Sequence, residues 1–164
     1  MRGKIGWAVI FVVCFATLFV LGPLPAMVEK RMNVIDGQPL IAVSARAKAL
    51  HKTLTIVDLH SDTLMWRRNP ADRAAQGHMD LPRLIDGHVA LQVFSSVTKS
   101  PAGLNYDAND ADSDTITALS VAQMQPARTW NSLTERSLWH AGKLDRAVSE
   151  SRGQLLKVSD SASL

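Results

Sequence analysis

The sequence predicts the opening of an α/β fold set behind a transmembrane or signal-anchor helix. Three observations predict it. Residues 5–28 carry no charged side chain, and residues 5–21 (IGWAVIFVVCFATLFVL) are nearly all apolar. Two short apolar runs, 54–57 and 89–94, flank a helix-start signature at Asp80-Leu81-Pro82. A helical pattern then extends from 115 to 149. Strand, loop, short helix, strand, long helix is the alternation of an α/β layer.

The first element needs about 20 apolar residues to cross the hydrocarbon core of a bilayer, and this segment has them. A cleaved signal peptide competes with an uncleaved anchor. Leu24-Pro25-Ala26 offers Ala26 as a cleavage residue, but Leu24 is large where a small residue is wanted, so the anchor is the favoured reading. Arg2 and Lys4 precede the segment and Lys30 and Arg31 follow it, so the basic residues do not set its orientation. The short leading tail and large trailing portion favour export of the latter to the periplasmic or extracellular side, with secretion if the signal is cleaved. Cys14, the single cysteine, lies inside this run and reads as a small residue facing lipid. It permits neither an intrachain disulfide nor a Cys-based zinc site.

Beyond residue 28 the chain is nearly neutral, with 16 basic and 15 acidic side chains and no basic cluster interleaved with aromatics. That pattern excludes nucleic acid as a partner. The expected organisation is a signal anchor or signal peptide at 1–28, a linker at 29–43 and a folded portion at 44–164. Gly22, Pro23, Pro25, Gly37 and Pro39 mark 22–39 as a path leaving the membrane. Ser44 suits the cap of a helix over 45–52. Leu54-Thr55-Ile56-Val57 suits a buried strand. Residues 66–77 are polar and basic and read as a loop or irregular helix.

Asp80 is expected to cap a short helix to Asp86, closed by Gly87, with residues 89–94 as the second strand. The Asn/Asp-rich stretch 100–114 is read as a solvated loop, because it lacks the Gly and closing Glu of a calcium loop. Over 115–149, Ile116, Leu119, Ala127, Trp130, Leu133, Ala141, Leu144 and Val148 are expected on one helical face, with Pro126 dividing it. Trp130 and Trp139 read as packing anchors. Two strands leave sheet edges unpaired, so the sequence predicts an incomplete fold.

His60-Ser61-Asp62 stands directly after the first strand. Residues i and i+2 of an extended chain share a face, which would project an imidazole and a carboxylate together, a donor pair suited to Zn²⁺. Two ligands do not close a metal site, and taken alone the triplet is better read as a structural turn with Asp62 as a helix cap. His78-Met79-Asp80 repeats the spacing but begins a helix, where capping by Asp80 is the better account. His51 and His88 read as surface or turn residues, and His140 as packed or exposed.

Three stretches in order, 56–63 (IVDLHSDT), 77–84 (GHMDLPRL) and 87–95 (GHVALQVFS), resemble the opening of the renal (membrane) dipeptidase family. The resemblance is clear over residues 49–96 and weaker onward to 164. It implies a (β/α)₈ barrel, a fold that needs about 250 residues, so 44–164 is expected to be the first portion of that barrel. It also implies two zinc ions, with His60 and Asp62 ligating one of them, and hydrolysis of dipeptides by a metal-bridging water. No catalytic residue is assigned within the chain, and homodimerisation stays open. Leu59 departs from the usual Gly. The bridging Glu, two later His ligands and a proton-handling acid are expected beyond Leu164, and Glu135 and Glu150 do not replace them. The alternatives are an inactive membrane-anchored remnant or binding module, and another metal-dependent barrel hydrolase.

Overall fold

A computed structural model describes residues 2–34 and 41–163. Helix α1 (Arg2–Leu21) has 20 residues, about 30 Å at 1.5 Å per residue. Its segment Lys4–Leu21 is the one helix among the described residues long and apolar enough to cross a membrane, and none of it is buried. Gly22 breaks it, its N–H closing on Leu18 O at 2.9 Å.

The next segment departs from the linker expected over 22–39. Residues Leu24–Met32 form helix α2 with Pro23 at its cap. Pro25 falls in the first turn, where a missing N–H costs nothing, so it starts a helix rather than breaking one. Helix α2 is docked on the folded portion. Gln123 Nε2 donates to Pro25 O at 2.9 Å and Gln76 Nε2 to Ala26 O at 3.1 Å. The buried Glu29 carboxylate accepts from Arg68 Nε at 2.6 Å. Residues 35–40 of the expected linker, with Gly37 and Pro39, lie outside the described residues.

Arg68 bridges three segments, since it also donates to Met79 O at 2.7 Å and Thr63 Oγ1 at 2.6 Å. Gly77 makes this possible. Its φ is +85°, and a Cβ there would stand 2.7 Å from an Arg68 nitrogen. The loop over 66–77 is therefore fixed by a buried ion pair that polar composition alone does not reveal.

Ser44 Oγ accepts from Ala47 N at 3.2 Å and starts helix α3 (Ala45–His51). Strand β1 (Ile56–Ser61) and strand β2 (Val89–Phe94) pair in parallel, with Ile56 opposite Val89 and Ser61 opposite Phe94. Parallel neighbours need a crossover connection, and helix α4 (Leu81–Asp86) lies on it. Asp80 caps α4 by accepting from Arg83 N at 3.0 Å, as expected. Gly87 closes it, but the positive φ (54°) falls on His88.

Helix α5 (Thr115–Ala122) and helix α6 (Leu133–Glu150) are separated around Pro126 by a 3-10 turn, Ala127–Thr129. Trp66, Ile116 and Leu119 form the buried core, with Val28, Met65 and Val97 against it. The apolar face expected along 115–149 holds in α5 and fails in α6. There Leu133 is 44% exposed and Ala141 is exposed, while Arg136, His140 and Ala147 are buried. The reason is a polar network. Arg136 donates to the carbonyls of Thr129, Thr98 and Trp130, to Asp114 Oδ2 at 2.6 Å and to Thr117 Oγ1 at 2.8 Å. A guanidinium with every donor direction used can be buried where an unpaired one could not. Burial alone would raise the Asp114 carboxyl. Hydrogen bonds from Arg136, Ile116 N and Thr117 outweigh it and hold the group below its ordinary value.

Candidate metal centre

The C-terminal ends of β1 and β2 bring together the residues singled out by the His-x-Asp triplet. His60 is in β1, and Asp62 follows at the entry to a 3-10 turn, Thr63–Met65. His60 Nε2 and Asp62 Oδ1 stand 3.2 Å apart, with 71% of the His60 side chain and 38% of the Asp62 side chain exposed. Two donors each about 2.05 Å from one tetrahedral zinc ion would be separated by about 3.3 Å. The observed spacing fits a single ion, and it equally fits an imidazole–carboxylate contact.

Asp62 does not spend its side chain on the turn that follows: no cap hydrogen bond leaves it. Its carboxylate instead accepts from Ser95 Oγ. Ser95 directly follows β2, and its backbone N–H donates to Ser61 O at 2.9 Å. One residue therefore extends the sheet pairing and orients the carboxylate. The His60 backbone N–H is held by Asp58 Oδ1 at 3.1 Å. Such outer contacts are what fix metal-ligating side chains in place.

Ser96 reaches the other way, to His140 Nδ1 at 2.7 Å. His140 is 2% exposed and its Nε2 has no hydrogen-bond partner. Burial holds its pKa down, to about 4, aided by the charges of Lys143 and Arg136, while the Asp62 carboxylate pulls the other way. The ring is therefore neutral at physiological pH. Of the two outcomes expected for His140, packed or exposed, the chain takes the first.

The remaining candidates sit elsewhere. His78 is exposed, whereas Asp80 is fully buried with Ala74 N and Arg83 as partners. Capping, not metal, accounts for Asp80. His51 and His88 meet edge to face with ring centres 5.6 Å apart. Glu135 pairs with Arg128 at 3.0 Å, and Glu150 accepts from Asn69 at 2.8 Å. Among the described residues no group of three or more His, Cys, Asp and Glu side chains gathers in metal-binding geometry. Ser95 lay inside the 87–95 stretch without a role assigned to it, and Ser96 and Arg136 had no motif to mark them, although Ser95-Ser96 lies immediately after the second strand, at the sheet end where His60 stands. No family model, curated protein or solved structure matches the chain.

Proposed function

We propose that this chain supplies the first ligand pair of a zinc dipeptidase of (β/α)₈ barrel type, held at a membrane by α1. The observation that carries the reading is the His60–Asp62 pair. It lies at the C-terminal end of a parallel strand, exposed, at the bite of one zinc ion, with its carboxylate oriented by Ser95. Enzymes of the barrel class place their chemistry at that end of the strands. The exposed apolar side chains Val57 (49%) and Leu59 (71%) suit a strand that gains further packing. Dipeptides, as substrate class, come from the resemblance over residues 49–96.

When bound, zinc would supply a Lewis acid and an activated water for cleavage of an amide. The chain's own residues do the holding: His60 and Asp62 donate, and Ser95 keeps Asp62 turned towards His60. Two donors fill half of a tetrahedral site. Hydrolysis on this reading therefore needs ligands additional to the described ones. The same shortfall favours the second reading, an inactive anchored remnant or binding module.

For the anchor, the position of Ala26 is informative. Cleavage after it would cut α2 between Pro25, held by Gln123, and the buried Glu29. An uncleaved helix keeps those contacts. The test of function is dipeptide hydrolysis by the native membrane-bound product, recovered with an antibody against residues 100–150 and weighed intact. Chelator-sensitive hydrolysis lost in His60→Ala supports the dipeptidase. A product of 17.9 kDa that hydrolyses no dipeptide selects the remnant.

A further inference from the structure

We infer that the cavity between residues 65–69, residues 123–125 and helix α6 binds the phosphodiester headgroup of a membrane lipid. The cavity measures about 350 Å³, within the range of small-ligand pockets. Its position points to lipid. Arg67 lines it, and Arg67 Nη1 donates to Leu21 O, the last carbonyl of α1, at 2.9 Å. With α1 across a bilayer, the end of that helix lies at headgroup level, and Arg67 ties the cavity wall to it. Trp139, half-buried in the wall, has the amphipathic ring that suits this zone.

Its charge points to an anion. Arg67, Lys143 and Arg146 face one carboxylate, Glu150, which already accepts from Asn69. The Arg146 guanidinium has no hydrogen-bond partner among the described residues. Lys143 donates to the carbonyls of Leu64 and Trp66. Burial pushes its pKa down to about 8, with Arg68 and Arg146 adding to the effect and Glu29 opposing it. A bound anion would relieve that crowding.

Gln125 is a fixed part of the cavity wall. Gln125 is 6% exposed; its Nε2 donates to Met65 O at 3.1 Å, while its buried Oε1 accepts from nothing. A buried acceptor without a donor is costly. The surrounding chain shields that oxygen from solvent, so the case for a phosphodiester rests on the three cations and on the cavity's place at the end of α1.

The inference rests on membrane insertion of α1, so the test begins with vesicle flotation of the full chain. Native mass spectrometry from detergent then compares adducts of phosphatidylglycerol and of uncharged diacylglycerol. Arg146 is exposed and holds no structural hydrogen bond through its guanidinium, so Arg146→Gln leaves the fold intact. It should lose phosphatidylglycerol adduct by about tenfold, the value of one charge-assisted hydrogen bond, with diacylglycerol unaffected and Arg146→Lys restoring much of the loss. Equal retention by wild type and Arg146→Gln overturns the site. Displacement of the lipid by excess inorganic phosphate overturns the lipid assignment in favour of a soluble anion. A chain that does not float overturns the anchor and the inference together.

Discussion

Acid should destabilise the chain through one imidazole, His140. The perturbation is a drop from pH 7.5 to pH 5, applied to wild type and to His140→Gln. The folded ring titrates at about 4 against an ordinary 6.5, so below 6.5 the unfolded chain takes up a proton that the folded protein refuses. Stability is therefore lost as pH falls through that window. Linkage gives about 2 kcal/mol lost by pH 5 and about 3 kcal/mol once pH is below the folded value. The other two shifted groups act elsewhere. The lowered Asp114 carboxyl contributes stability that disappears only below its ordinary 3.8, and the cost of holding the Lys143 ammonium in a buried place is relieved only as pH rises from about 8 to 10.5. Urea unfolding of the full chain in mild detergent, followed by the fluorescence of buried Trp66, provides the assay. With a denaturant slope of about 2 kcal/mol per molar, the wild-type midpoint should fall by about 1 M more than that of His140→Gln. Parallel midpoints for the two proteins across this range would refute the reasoning.

Three further outcomes are expected. Arg136→Met should cost about 3–5 kcal/mol, because it strands Asp114 and the carbonyls of Thr98, Thr129 and Trp130; the same urea titration reads it. Gly77→Ala should cost more than about 1 kcal/mol, since it combines a left-handed backbone with a clash on Arg68, and a lowered Tm would register it. Ser95→Ala should weaken zinc binding by about 10–100-fold while leaving Tm within a few degrees, because it frees Asp62 without removing a ligand; competition with a chromogenic chelator measures the affinity.

Much of the backbone was legible because local chemistry dictates it. Ser44 and Asp80 announce helix starts by the hydrogen bonds they can make, and Pro126 divides the last helical stretch for want of an N–H. The apolar run 89–94 coincides with β2, whereas the run 54–57 meets β1 only at Ile56-Val57, and the burial expected of it fails, with Val57 49% exposed. What stayed hidden depends on partners distant in sequence. Glu29 reads as one acid beside Lys30 and Arg31 until Arg68 meets it 39 residues later. Arg136 looks like a solvated helix residue until five acceptors from three segments surround it. That substitution of a polar network for an apolar stripe is why the face expected on α6 turned outward. At the candidate metal centre the triplet was visible, as was the turn that competes with it. Only the fold shows that the Asp62 side chain turns to Ser95 and His60 instead of capping Thr63–Met65.

The most direct test of the central claim is calorimetric titration of zinc into the full detergent-solubilised chain, alongside His60→Ala and Asp62→Ala. The account predicts one weak zinc ion per chain, lost in either variant. Zinc binding of equal strength in all three proteins would contradict it, because the ion would then be held by residues other than the pair on which the reading stands.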